Sequence, residues 1–95
     1  MRSPGSVSAR IRALLEGGAV EQALELMRTL ELQGLRLSGV DLSNAPLRGA
    51  HLPGVYLQQA RLTGADLSEA DLDCASLSSA ELSATRLTSA RLHGA

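Results

Sequence analysis

The stretch ADLSEADLDCASLSSAEL, residues 65–82, repeats a short pattern, called here a unit, with a period of five. Leucine returns at every fifth position, and alanine stands two places before each leucine. A step of five rotates a helix by about 140°, which would scatter the leucines around its axis. On a straight strand, an odd step places successive leucines on opposite faces. The period therefore requires a chain that turns a corner within every unit.

The same period extends well beyond this stretch. Leucine occupies every fifth position, twelve times: Leu37, Leu42, Leu47, Leu52, Leu57, Leu62, Leu67, Leu72, Leu77, Leu82, Leu87 and Leu92. The residue two places earlier is small or aliphatic almost throughout. In an extended segment, residues two apart point to the same side. We therefore expect a coil in which short extended pieces alternate with corners and both residues point inward.

The outward residue just before each leucine indicates how many sides one coil has. Charged residues four units apart at this position are always opposite in sign: Asp41–Arg61, Arg61–Glu81, Asp66–Arg86 and Asp71–Arg91. At a separation of five units, three of the four charged pairs are alike. Stacked strands lie about 4.8 Å apart, where opposite charges stabilise and like charges destabilise. This pattern favours four units per coil and hence four sides.

Units such as ADLSE, ADLDC and ASLSS resemble the pentapeptide-repeat family, whose consensus is A(D/N)LXX. The resemblance covers about residues 35–95 and implies a mainly β fold, a right-handed quadrilateral β-helix. Twelve units at four per coil give about three coils. The predicted core stack is Leu37, Leu42, Leu47, Leu52, Leu57, Leu62, Leu67 and Leu72. Departures from the consensus are Thr85 at the small inward position, and Pro46, His51 and Tyr56 where Asp or Asn is usual.

The segment 6–33 has helical periodicity instead. Ser6 or Ser8 is a candidate N-cap, Gly17 and Gly18 break the helix, and Gly34 can terminate a second one. The apolar residues predicted to face the first coil are Ile11, Leu14, Leu15, Val20, Leu24 and Met27. We expect a flexible N-terminus over 1–5, an α-helical cap or docking segment over 6–33, and the β-helix over 34–95.

The composition excludes several classes of protein. Nine Arg and no Lys stand against ten acidic residues, which gives no electrostatic basis for nucleic-acid or membrane binding. The N-terminus has no apolar signal region and no apolar run is long enough for a membrane span, so we expect a cytoplasmic protein. The side chains of His51, Asp71, Asp73, Cys74 and His93 share one side of the coil and are of metal-ligating types, but a solvated outer face explains them better. We predict no catalytic residues, no metal and no cofactor.

Self-association is the function that we expect from the end of the coil. The last coil, about residues 75–94, brings Leu77, Leu82, Leu87 and Leu92 to the end of the solenoid, where no further coil covers them. A homodimer is favoured, and a higher assembly is the alternative form.

Two other functions remain open. The resemblance implies one, a DNA-mimicking modulator of DNA gyrase, although residues 35–95 carry six acids and five Arg rather than an acidic surface. The other is a regulator that binds a protein partner through the N-terminal helices.

Overall fold

The structure is a computed structural model that describes residues 4–30 and 33–95. Helix α1 spans Pro4–Glu16 and α2 spans Val20–Leu30. Of the segments expected from the sequence, residues 1–3 and 31–32 lie outside the described residues, and Pro4 and Gly5 already belong to α1. Proline suits the first turn of a helix, where its missing N–H has no intrahelical acceptor. The prediction that Ser6 or Ser8 caps this helix is therefore wrong, because both lie within it.

A glycine ends α1, as the sequence predicts. Gly18 adopts a positive φ of 85°, and the N–H of Ala19 donates to the carbonyl of Leu14 at 2.9 Å. A second bond, from the N–H of Gly18 to the carbonyl of Leu15 at 3.2 Å, completes a Schellman motif. Gly34 has a φ of 68°, and its N–H donates to the carbonyl of Pro53, as the corner amides of the repeat do. The prediction that Gly34 terminates the second helix involves residues 31 and 32, which lie outside the described residues.

Parallel pairing in the repeat always joins residues that are four units apart. The bridges are Arg36↔Tyr56, Asp41↔Arg61, Pro46↔Asp66, His51↔Asp71, Tyr56↔Ser76, Arg61↔Glu81, Asp66↔Arg86 and Asp71↔Arg91. All eight are isolated bridges, so within the described residues each extended piece pairs through one residue and forms no longer strand. The physical reason is the corner that follows every leucine.

Each corner is a tight turn with one residue in the left-handed region. The carbonyl of Leu37, for example, accepts the N–H of Val40 at 3.2 Å, and Gly39 between them has a φ of 74°. A positive φ at the third residue is the mark of a type II turn, which favours glycine. Only six of the thirteen positions of this kind between residues 34 and 94 hold glycine. The others hold larger residues at φ 58–62°: Asn44, Gln59, Glu69, Cys74, Ser79, Ala84 and Ser89.

The core is a column of leucines beside a column of small residues. The eight leucines from Leu37 to Leu72 are each 3% exposed or less, and the inward residues from Leu35 to Ala75 are also buried. Ile11, Leu15 and Met27 from the helices belong to the same buried cluster, whereas Leu14, Val20 and Leu24 pack against it partly buried. The helices and the repeat thus share one core.

Ser68 is buried, although the repeat pattern places it on the outer surface. It is only 7% exposed. It stacks between Arg48 and Thr88, which hold the same corner position one coil before and one coil after it. A substitution at Ser68 is therefore not a neutral surface change.

Candidate functional site

The helices contact the N-terminal edge of the first coil through two hydrogen bonds. The N–H of Arg36 donates to the hydroxyl of Ser8 at 3.0 Å, and the guanidinium of Arg12 donates to the carbonyl of Ser38 at 2.6 Å. Pro46 has no N–H to leave unpaired on this edge. Sequence reasoning missed the contacts of Ser8 and Arg12, because a helical pattern carries no signal for a side chain that bonds a distant backbone group.

The opposite edge, formed by residues 75–95 and called here the open edge, has free backbone groups. One coil earlier, every leucine amide and every corner amide donates to the next coil; Leu57 donates to Ser76 and Gln59 to Ser78, at 2.8 and 2.9 Å. On the open edge, the corresponding eight amides have no backbone partner within the described part of the chain: Leu77, Ser79, Leu82, Ala84, Leu87, Ser89, Leu92 and Gly94. The carbonyls of Ala75, Ala80, Thr85 and Ala90 likewise have no partner from a following coil. Such an edge can pair with another chain.

The open edge also exposes apolar side chains. Leu82 is 37% exposed and Leu92 is 39% exposed, while Leu77 and Leu87 are partly buried. The leucines of the two preceding coils are almost fully covered. The four residues that we named as the self-association end therefore differ in exposure from the eight that we named as the core stack.

Charged side chains on the outer faces alternate in sign rather than form one acidic surface. Arg48 Nη2 lies 2.9 Å from a carboxylate oxygen of Glu69, and Arg61 Nε lies 3.9 Å from one of Glu81. The backbone of Arg61 also pairs with that of Asp41 in the preceding coil. These pairs are more than half exposed, so each contributes little to stability.

Aspartate just before a leucine has a local role. Its carboxylate accepts the N–H of the residue two places later, as from Ser43 to Asp41 at 3.1 Å and from Ser68 to Asp66 at 3.0 Å. In both cases the serine hydroxyl and then this N–H hold the pKa of the carboxyl below its ordinary value of 3.8. Burial raises the pKa of Asp73, but the N–H of His93 and the charge of Arg91 outweigh it, so this pKa is also lowered.

The side chains considered as metal ligands meet only in pairs. His51 Nδ1 lies 3.9 Å from Asp71, and His93 Nδ1 lies 3.3 Å from Asp73. No group of three His, Cys, Asp or Glu that could hold a metal ion occurs among residues 4–30 and 33–95. Cys74 is an exposed free thiol at a corner.

A groove of about 780 Å³ lies between the α1–α2 turn and the first coil, lined among others by Leu15, Val20, Leu42 and Asn44. It leaves one side of the helical segment accessible. Neither α1, with 13 residues, nor α2, with 11, is long and apolar enough to cross a membrane, a finding limited to the described residues.

Comparison with known proteins identifies the repeat. The pentapeptide-repeat family matches residues 41–78 and 65–95 in eight copies. The crystal structure of Rfr23, a pentapeptide repeat protein from the cyanobacterium Cyanothece 51142, is 41% identical with a TM-score of 0.62, covering 64% of this chain and 42% of that one. A pentapeptide repeat protein from the thylakoid lumen of Arabidopsis thaliana is 39% identical with a TM-score of 0.38, covering 65% of this chain and 52% of that one. The chain thus spans about half the length of these two proteins or less. No curated protein matches it. These matches confirm the resemblance and imply a right-handed β-helix.

Proposed function

Because this chain belongs to the pentapeptide-repeat family, we propose that it is a non-enzymatic structural and interaction module that self-associates through the open edge of its β-helix. The β-helix has about three coils of four faces each, and α1 and α2 form its N-terminal cap. A homodimer is the principal form of the assembly.

The contacts of the helices support their role as a cap. Ile11 and Met27 are fully buried in the core shared with the first coil. Ser8 and Arg12 bond backbone groups of that coil. A solenoid end needs such a cover, because its terminal repeat lacks one neighbour.

The contrast between the two edges carries the proposal of self-association. The open edge presents partly exposed leucines beside unpaired amides, whereas the helices share a buried core with the first coil and bond its backbone at Arg36 and Ser38. Covering the four leucines recovers less than about 3 kcal/mol per chain, taking about 2 kcal/mol for a fully buried leucine and exposed fractions of 39% or less. The loss of rotational and translational freedom offsets much of this gain, so we expect a Kd in the micromolar range.

Sedimentation equilibrium tests the proposal. The wild-type chain at about 100 μM should sediment as a dimer or larger assembly. The double variant Leu82→Arg/Leu92→Arg should be a monomer with an unchanged circular dichroism spectrum, because both leucines are already exposed. Ser83→Arg, which adds an arginine at an exposed corner, is the matched control and should associate normally. A monomeric wild-type chain would overturn the proposal.

The other candidate functions stay predictions. A gyrase supercoiling assay, with and without quinolone, tests the DNA-mimicking modulator. A pull-down with the chain and with an α2 surface variant tests a regulator that acts through the helices. The expectation that the protein resides in the cytoplasm, and binds neither nucleic acid nor membrane, is tested by cell fractionation.

A further inference from the structure

We propose that the surface between α1 and the first coil binds a phosphate monoester whose phosphate contacts Arg12 and Arg36 and whose planar ring lies on Tyr56. This surface is called here the seam. It lies on a side face of the repeat, and its ligand binding is independent of the proposed self-association. Three features carry the inference: the charge of that face, the placement of the two arginines and the exposure of the tyrosine.

One face of the repeat differs from the other three in its charge. It consists of the segments 35–39, 55–59 and 75–79, which contain Arg36 but no acidic residue. Each of the other three faces holds two acidic residues. Among residues 4–30 and 33–95, the side chain of Arg36 forms no ion pair. The charge of Arg36 is therefore available to an anion from outside this part of the chain.

Arg12 reaches the same face from α1. Its Nη2 donates to the carbonyl of Ser38 at 2.6 Å and lies 3.9 Å from the place that a Cβ would take on Gly39. These contacts hold the guanidinium over the first coil. A carboxylate oxygen of Glu16 lies 3.6 Å from Nε of Arg12, but the Glu16 side chain is 48% exposed and such a pair is weak. Two guanidinium groups thus border one surface.

The two arginines line a shared depression of about 540 Å³. Its other lining residues are Ser38, Tyr56 and Gln58. The hydroxyl of Ser38 donates to Oε1 of Gln58 at 2.7 Å, which leaves the amide nitrogen of Gln58 as a donor to a ligand. The depression therefore combines two cationic groups with a neutral donor and contains no carboxylate among its lining residues.

Tyr56 supplies an aromatic surface beside these donors. It is the only aromatic residue of the chain and is 44% exposed. Its Cε2 lies 4.0 Å from the place that a Cβ would take on Gly34, so its neighbour at that corner is a residue without a side chain. The repeat consensus has Asp or Asn at this position, so the fold does not require a tyrosine here. An exposed ring can stack on a planar ring of a ligand.

A phosphate monoester matches this set of groups better than a carboxylate does. It carries about −1.5 to −2 charges near pH 7 and three acceptor oxygens, so it can accept from two guanidinium groups at once. A carboxylate carries one charge, which one bidentate arginine already satisfies. Because solvent and salt screen these contacts, we expect a Kd of about 0.1–1 mM at low salt.

NMR titration of the isotope-labelled wild-type chain at constant ionic strength tests the site. Phenyl phosphate should shift the backbone amides of Arg36, Ser38, Tyr56 and Gln58 and should saturate. Inorganic phosphate, which has no ring, and benzoate, which has a carboxylate, should each bind at least about threefold more weakly. Equal affinity for inorganic phosphate would overturn the role of the ring, and equal affinity for benzoate would overturn the choice of phosphate. Absence of saturation up to about 20 mM phenyl phosphate would overturn the site.

Arg36→Gln is the sharpest variant, because Arg12 also bonds Ser38. It should weaken phenyl phosphate binding at least about tenfold through the loss of a charge-assisted contact. Its unfolding midpoint should match that of the wild type. Arg36→Lys should restore the affinity only in part, since an ammonium group lacks the planar fork of arginine. Arg86→Gln, the control, removes the same charge from another face and should bind like the wild type. Equal losses in Arg36→Gln and Arg86→Gln would overturn the site.

Tyr56→Leu tests the ring separately from the charge. It should lower the affinity for phenyl phosphate to that for inorganic phosphate and leave the latter unchanged. An unchanged affinity for phenyl phosphate would overturn stacking on Tyr56.

Two further ligands distinguish the possible sources of the monoester. Adenosine monophosphate represents a free nucleotide, and phosphotyrosine represents a modified side chain of a protein. Saturable binding of either one supports the inference, and the tighter of the two identifies the source. Failure of both under conditions where phenyl phosphate binds would overturn a ring-bearing monoester as the ligand. A chain that binds phenyl phosphate but stays monomeric would overturn self-association alone.

Discussion

The hydroxyl of Thr85 lies 2.7 Å from the carbonyl oxygen of Leu62 in the preceding coil. Between residues 45 and 90, Thr85 is the only residue two places before a repeat leucine that is neither alanine nor valine. Its hydroxyl donates to a carbonyl that already accepts the N–H of Ala65 at 3.0 Å. The hydroxyl of Thr85, which the repeat pattern turns inward, therefore has a hydrogen-bond acceptor.

Thr85→Val keeps the shape of this side chain and removes the hydrogen bond. We expect a loss of about 1 kcal/mol in the free energy of unfolding, since the Leu62 carbonyl keeps its second donor. Urea denaturation measures the change. Thr88→Val, at an exposed corner, is the control and should stay within about 0.5 kcal/mol of wild type. Equal values for the two variants would contradict a role for the hydroxyl.

Leu67→Ala removes a leucine that is 1% exposed from the middle of the stack. The coils above and below are held by backbone bonds and cannot collapse around the void. We expect a cost of about 2–5 kcal/mol in the free energy of unfolding. The control is Ser83→Ala on the exposed surface rather than Ser68→Ala, because Ser68 is buried. Matching unfolding midpoints for Leu67→Ala and the control would show that Leu67 does not belong to the core.

Arg61→Glu places a third carboxylate in the column between Asp41 and Glu81. Compared with Arg61→Gln, we expect an additional loss of about 1 kcal/mol at low salt, because the pairs are exposed and individually weak. The difference should nearly vanish at about 1 M salt, where the Debye length is about 3 Å. Equal stability of the two variants at low salt would argue against alternating charge as a stabilising feature.

Gly49 and Ala84 test the cost of the corner conformation from both directions. Gly49 has a φ of 73°, and a Cβ added there would contact nothing within 4 Å. Gly49→Ala should therefore cost about 1 kcal/mol from backbone strain alone. Ala84 holds the same conformation at φ 58°, so Ala84→Gly relieves the strain. Glycine also adds entropy to the unfolded chain, which offsets part of this gain. We expect the free energy of unfolding to rise by about 0.5 kcal/mol. Thermal unfolding of both variants checks this, and a more stable Gly49→Ala or a less stable Ala84→Gly would refute it.

The lowered pKa of Asp66 makes stability depend on pH. Its ionised carboxylate stabilises the folded state above the ordinary value of 3.8, and this contribution is lost as the pH falls through the folded-state pKa. Ser68→Ala removes the hydroxyl bond, so the pKa of Asp66 should rise toward 3.8, as read from an NMR titration of its carboxyl carbon. Ser83→Ala is the control, because Ser83 lies two places after Glu81 rather than after an aspartate. It should leave the pKa of Asp66 unchanged. An unchanged Asp66 pKa in Ser68→Ala would contradict the assigned cause.

Much of the repeat could be predicted because each unit carries the same information. The leucine period indicates the corners, and the signs of Asp41, Arg61 and Glu81 indicate the coil of four units that the bridges show. The resemblance to the pentapeptide-repeat family could be recognised from the same five-residue units. These signals are local or recur at one fixed spacing, so a single sequence suffices to read them.

The errors concern positions where a distant contact decides the outcome. Ser8 satisfies the N–H of Arg36 instead of capping α1, and nothing near residue 8 in the sequence indicates this. Ser68 is buried, although the repeat pattern places it on the outer surface.

The constant separation between bridged residues, one coil of four units, has a consequence for how the chain folds. Every contact between coils closes a loop of the same short length, so each new coil meets the same entropic barrier and no contact must wait for a distant segment. Helices form faster than strand pairs. The helical segment also leaves the ribosome before the repeat, so it can template the first coil while the rest is still being made. We expect folding to proceed by winding from the helical end, with one coil added for every four units synthesised.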